Sequence, residues 1–88
     1  MKVLKYPLAK TGRQTIKLPV DTEIVAVQGQ HDLCTLWVKT SNPEIAFDRT
    51  FVCAFTGEEL TDNPGRLTYL GTCQFHHGGT VVHVFEEV

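Results

Sequence analysis

Cys73, His76, His77 and His83 lie within a dozen residues of one another, around the pair Gly78-Gly79, in the stretch TYLGTCQFHHGGTVVHVFEEV. Thiolate and imidazole are the usual ligands of zinc, and Cys73-x-x-His76 followed by a later histidine has zinc-site spacing on paper. A cysteine beside a histidine is also the smallest nucleophile and base for thiolate-dependent hydrolysis. Both chemistries require the side chains to converge, which depends on the elements that carry them.

Two β-rich runs flank Gly78-Gly79, which predicts a hairpin of residues 67–76 and 80–86 with the glycines at its tip. A two-residue primed turn needs positive φ at both central positions, and glycine takes it without steric cost. In that register Gln74 faces His83 and Cys73 faces Val84. Cys73, Phe75, Val82 and Val84 form a core face. Leu70, Thr72, Gln74, His76, Val81, His83 and Phe85 form the other face, with His76 and His83 as diagonal neighbours. Positions i and i+3 on a strand point to opposite sides, so Cys73 and His77 turn away from that pair. The stretch therefore reads as two strand histidines and a buried thiol, with no metal and no cofactor expected. A one-residue slip would exchange the faces.

Enzymatic signatures are lacking elsewhere. An activated thiolate needs an exposed, electropositive site, whereas Cys34, Cys53 and Cys73 each sit among apolar residues in strand-like runs. There is no Gly-rich loop leading into a helix, no GxSxG and no HExxH. The carboxylates of GEEL and FEEV read as solvated. The expectation is a protein that is not an enzyme.

Binding chemistry remains. Arg13, Arg49 and Arg66 flank expected turns or strand starts. Guanidinium forks recognise phosphate and carboxylate, and Tyr6, Trp37, Tyr69 and Phe85 offer flat apolar surface. The candidate ligand-binding set is Arg13, Arg49, Arg66, Trp37, Tyr69, His76 and His83, as an anion pocket formed at a subunit seam. The alternative is that the arginines are surface residues and Trp37 belongs to the core.

The elements that must position these residues repeat with period two. KVLKY starts a strand that Pro7 confines to an edge or an end. Gly12 serves the AKTGR turn, and QTIKLP alternates to Pro19. In EIVAV the four residues after Glu23 are apolar, as in a strand buried on both faces or a twisted strand inside a sandwich. QGQHD is a hairpin turn or holds a bulge at Gly29. In LCTLWVKT, Cys34, Leu36 and Val38 share one face; Leu33, Thr35, Trp37 and Lys39 share the other. SNPEIAFD reads as a loop, RTFVCAF as a strand, and TGEELTDNPGR as the longest irregular stretch, with DNPG as its turn. No apolar residues recur at helical spacing for three turns. The expected fold is one all-β domain over residues 1–88. It is a small antiparallel β-sandwich or open barrel of about seven short strands, with little or no helix. Its expected core is Ile16, Leu18, Val25, Val27, Leu36, Val38, Phe51, Cys53, Phe75, Val82 and Val84.

Bulk properties set outer bounds. Eighty-eight residues make one domain. A chain this short has a thin stability margin, and strands apolar on both faces leave surface to cover, so a homodimer or higher homo-oligomer is expected. TVVHVFEEV or another edge strand and the Trp37 face are the candidate contacts. Eight basic against ten acidic residues give a net charge of −2, without a basic block, which disfavours nucleic acid. No apolar run reads as a signal peptide or a membrane span. With three unpaired cysteines, this points to the cytoplasm.

The segments RQTIKLP, VQGQHDLCTLWV, FVCAFTGEEL and YLGTCQFHHGGTVVHVFEEV, in that order, resemble a family of small phage and prophage proteins without assigned function. The resemblance covers most of the chain and supplies no catalytic or binding residues. It implies a phage accessory setting, in the cytoplasm of an infected bacterial host. Small accessory proteins of that kind inhibit a host defence protein or sequester a nucleotide-type immune signal. A binding role of this sort is the leading expectation. A structural or assembly role in a phage particle is the alternative. A metal-dependent or hydrolytic function at the C-terminal hairpin is the third.

Overall fold

The computed structural model describes residues 1–41, 44–60 and 66–88. Seven strands follow in chain order among them: β1 (Lys2–Pro7), β2 (Gly12–Pro19), β3 (Glu23–Gln30), β4 (Leu33–Thr40), β5 (Ala46–Phe55), β6 (Leu67–Phe75) and β7 (Thr80–Glu87). They form a three-stranded sheet, β1-β4-β3, and a four-stranded sheet, β2-β5-β7-β6. Every pairing is antiparallel. The architecture is an open sandwich, as the period-two alternation requires; it does not close into a barrel. Asn42-Pro43 and the DNPG turn lie outside the described residues.

Alternation fixes the inner faces. On β4, Cys34, Leu36 and Val38 are buried against Leu18, Phe51, Cys53, Cys73, Phe75, Val82 and Val84 of the opposite sheet. Leu8 joins this core, its amide donating to the Cys34 carbonyl at 2.8 Å. Ile16 and Val27 are partly buried against it. The three cysteines are buried and unbridged. Burial, and then hydrogen bonding to Cys73, pushes the Cys34 thiol far up, and burial pushes Cys53 up to about 11.

Val25 departs from its expected core position and is 47% exposed. The register of β3 shifts between Ile24 and Ala26, so Ile24 and Val27 face inward and Val25 is thrown out. The bulge lies there and not at Gly29, which pairs regularly with Cys34. The β3–β4 turn is the two residues His31 and Asp32, both with positive φ (51° and 63°), as a type I′ turn demands. Ala46, Phe47 and Asp48 belong to β5 and not to the preceding loop.

The β6–β7 hairpin is antiparallel as expected, but its register and turn differ. Phe75 pairs with Thr80, Cys73 with Val82 and Thr72 with His83. The turn is four residues, His76–Gly79, closed by Gly78 N–H to Phe75 O (3.1 Å) and Gly79 N–H to His76 O (3.0 Å). Positive φ falls on His76 (53°), His77 (54°) and Gly78 (87°), and not on Gly79. The register is displaced by two positions, which preserves the faces, so Cys73, Phe75, Val82 and Val84 still point into the core. A second bulge, between Tyr69 and Gly71, sends Leu70 to the core and Tyr69 to the outer face, reversing the expected side of Leu70.

β7 lies between β5 and β6, so TVVHVFEEV is an interior strand and not an edge. The edges are β1, β3, β2 and β6, and each carries a protecting feature. β3 and β6 are bulged, β1 bears lysines and ends at Pro7, and β2 bears Arg13 and Lys17 and ends at Pro19.

Candidate functional site

The outer face of the four-stranded sheet brings polar and aromatic side chains together. Thr72 on β6, His83 on β7 and Ala54 on β5 lie side by side in the ladders. One position along, Tyr69 lies opposite Phe85, with ring centroids 5.7 Å apart at 62°, an edge-on contact. The bulge at Leu70 makes this possible, because unbroken alternation would place Tyr69 with Gly71 and Cys73 on the core side.

A hydrogen-bond chain runs across this face. Thr56 Oγ1 is 2.7 Å from His83 Nε2, Thr72 Oγ1 is 3.0 Å from His83 Nδ1, and the Tyr69 hydroxyl is 2.5 Å from Thr72 Oγ1. Both ring nitrogens of His83 are therefore engaged, and its plane is fixed by β6 on one side and the turn after β5 on the other. That turn is held by Glu58. Its amide donates to Phe55 O (3.0 Å), and its carboxylate accepts from the Phe55 amide (2.9 Å) and from Thr11 Oγ1 (3.2 Å).

Two shallow clefts flank the turn. One, of about 150 Å³, lies among Ala54, Phe55, Thr56, Gly57, Glu58, Leu60, His83 and Phe85. The other, of about 100 Å³, lies among Gly12, Arg13, Val52, Cys53, Ala54, Glu58, Glu59, Leu60 and Leu67. Sites that enclose a drug-sized ligand are roughly 300–1,000 Å³.

The three candidate arginines gather at the end of β7, each held by one of three successive residues. Arg49, on the inner side of β5, makes a two-pronged ion pair with Glu86 (Nε–Oε2 2.6 Å, Nη2–Oε1 2.7 Å) and reaches Thr22 O at 3.4 Å. Arg13, on the outer side of β2, pairs with Glu87. Arg66 donates from Nε to Val88 O at 3.1 Å, and the Val88 amide returns a bond to Arg66 O at 2.9 Å. Glu86 and Glu87 project to opposite sides of the sheet, so the arginines brace β7 from both faces.

The remaining candidates are dispersed. Trp37 is not core: it lies on the outer face of the three-stranded sheet, beside Lys5 on β1 and Ala26 on β3. The Lys5 ammonium is 5.9 Å from the ring centroid, and the Trp37 Nε1 atom is buried without a hydrogen-bond partner among the described residues. His76 is in the exposed turn, so it is not the strand neighbour of His83 that the expected register made it. Tyr69 and His83 are thus the two candidates that share a site, with Phe85 beside them. Thr56 and Thr72 complete it and were not singled out by sequence. Among the described residues, no group of three or more histidine, cysteine, aspartate or glutamate side chains is arranged to hold a metal ion.

The model of a family described as a domain of unknown function, DUF7352, matches residues 1–88. The chain belongs to this family. No curated protein and no solved structure matches it. In this DUF7352 chain the site is formed by Thr56, Tyr69, Thr72, His83 and Phe85.

Proposed function

We propose that this DUF7352 chain is a small binding module that recognises a protein partner through the outer face of its four-stranded sheet. The observation that carries this reading is the Tyr69–Phe85 pair, set on a sheet and braced by the Tyr69–Thr72–His83–Thr56 bonds, with Tyr69 57% exposed. Rigid aromatic side chains with a polar tip are the usual anchors of protein interfaces, because little conformational entropy is lost on binding. Two further observations favour a protein over an enclosed nucleotide. Neither cleft approaches the volume of a nucleotide pocket, and all three candidate arginines already engage groups of the chain itself. In the phage setting that the resemblance implies, the partner is a host protein, with anti-phage defence components first among them, and the module works in the host cytoplasm.

The test is co-purification from a bacterial host with the wild-type chain, Tyr69→Ala and Phe85→Ala, each checked for an unchanged melting profile. A protein retained by the wild type and lost from both variants supports the reading. A protein retained equally by all three, or a stoichiometric anionic small molecule in place of a protein, counts against it. Self-association through the face that carries Trp37 is the second proposal, favoured by Val3 and Val25, which are exposed on that sheet. Light scattering coupled to size exclusion at micromolar concentration decides it, since a mass near 10 kDa excludes the dimer.

A further inference from the structure

The binding reading uses the Thr56–His83 pair only as a brace for Tyr69. We infer that Thr56 and His83 form a nucleophile and general base able to transfer a short acyl group from a neutral ester. The geometry has the parts that such chemistry needs. The Thr56 hydroxyl is 2.7 Å from His83 Nε2, within reach for proton transfer. His83 is oriented from its far side by Thr72 at Nδ1, and Thr72 in turn by Tyr69. Gly57 follows Thr56 directly and lines the same cleft; in this proposal its amide serves as the oxyanion donor.

Proton counting allows two polarities of this chain, and the proposed chemistry uses the one with the imidazole proton on Nδ1. A neutral imidazole has one donor and one acceptor nitrogen, and each hydroxyl has one proton. If Thr56 donates to Nε2, Nδ1–H donates to Thr72, the Thr72 hydroxyl donates to Tyr69, and the exposed phenol gives its own proton to water. Every bond is then satisfied, with Nε2 free to accept the proton of Thr56. Thr72 and Tyr69 are positioning residues; Thr56 and His83 meet the reacting atoms.

The step balances without a further reactant besides water. Thr56 Oγ1 attacks the carbonyl carbon as Nε2 takes the hydroxyl proton. The tetrahedral oxyanion collapses, the ester C–O bond breaks, and the leaving alcohol takes that proton from His83. Water gives a proton to His83 and attacks the acyl-threonine; the acyl C–Oγ1 bond breaks, His83 returns the proton to Thr56 Oγ1, and the acid is released. The cleft selects the substrate class. Its walls of Ala54, Phe55, Leu60 and Phe85 are apolar and its volume is about 150 Å³, which suits an acyl group of a few carbons. Glu58 at its rim disfavours an anionic ester.

The test uses p-nitrophenyl acetate with the intact chain, following nitrophenolate release and locating acetyl groups by peptide mass spectrometry. The expected result is acetyl on Thr56 in the wild type and in Thr56→Ser, and none at that position in Thr56→Val. His83→Gln should slow release about 10²–10⁴-fold, while His31→Gln, far from the site, leaves it unchanged. Thr72→Ser should retain the rate and Thr72→Val lower it, with the melting temperature of each matching the wild type. Acetyl on lysine or histidine with Thr56 unmodified would overturn the inference. So would equal release by folded Thr56→Val, or by folded His83→Gln.

Discussion

Gly29 on β3 and Phe75 on β6 meet across the sandwich with no room for a methyl group between them. A Cβ on Gly29 would stand 2.6 Å from Phe75 Cε1 and 3.1 Å from Cζ. Gly71 is under the same constraint from Val27, whose Cβ is 2.9 Å from the equivalent point. These two glycines let β3 and β6 approach closely where the sheets adjoin. Gly29→Ala should therefore cost about 1–3 kcal/mol through displacement of a well-packed ring. Urea denaturation measures it, and Gly29→Ala combined with Phe75→Leu should recover part of the loss.

The β6–β7 turn predicts the opposite sign for a different substitution. His76 and His77 hold left-handed backbone, which disfavours any residue with a Cβ. Replacing either with glycine should raise stability by about 0.5–1 kcal/mol. Gly78→Ala should lower it by a similar amount, since φ there is 87°. Thermal melts of the three variants give both signs in one series.

Ion pairs at the end of β7 should differ in strength by position. The Arg49 and Glu86 side chains are only 28% and 16% exposed and bonded at two points. A double-mutant cycle with Arg49→Met and Glu86→Gln should give a coupling of about 1–2 kcal/mol. The Lys17–Asp48 pair on the open face, 74% and 62% exposed, should give less than about 0.5 kcal/mol.

Alkaline stability follows from the core thiols. Cys53 is raised from 9.0 to about 11 by burial, so the folded chain binds its proton more tightly than the unfolded chain does. Stability is unaffected by this group below pH 9, and falls as pH rises from about 9 to 11, because the unfolded state releases the proton first. Cys34 acts in the same direction. Denaturation midpoints across that window should decline, and Cys53→Ala should flatten the decline. In the native state the thiols should resist alkylation at pH 8 and react once urea is added.

The sandwich was legible from residue types because alternation is a local signal. Cys34, Leu36 and Val38 against Trp37 and Lys39 already define two faces. Alternation fails where a bulge inserts one residue. In Ile24-Val25-Ala26 every residue is apolar, so nothing marks which one is thrown outward. In Tyr69-Leu70-Gly71 the glycine was the available sign of an irregularity, and without reading it Tyr69 falls on the wrong side. The hairpin register was displaced because Gly-Gly suggests the tightest turn, whereas the left-handed positions begin on His76. That displacement kept the core face intact but set Gln74 opposite His83, concealing Thr72. Thr56 was hidden for another reason: it is the diagonal neighbour of His83 across the β5–β7 ladder, and nothing local marks that these two strands pair.

The placement of β7 between β5 and β6 bears on how the molecule reaches its fold. β2 and β5 join residues at least twenty-seven positions apart, as Pro19 with Ala46, and β1 finds β4 across the intervening β2 and β3. Three of the five pairings among the described strands, β1–β4, β2–β5 and β5–β7, join strands that are not adjacent in the chain, and such non-local pairing slows the conformational search. Before residues 80–87 arrive, β5 and β6 each present a bare row of amides and carbonyls that another unfinished chain can pair with. Of these two only β6 carries a bulge, and the β7-facing side of β5 has no such feature among the described residues. Losses during refolding should therefore grow with protein concentration, and a peptide of residues 80–87 added in excess should trap the incomplete sheet as a soluble complex.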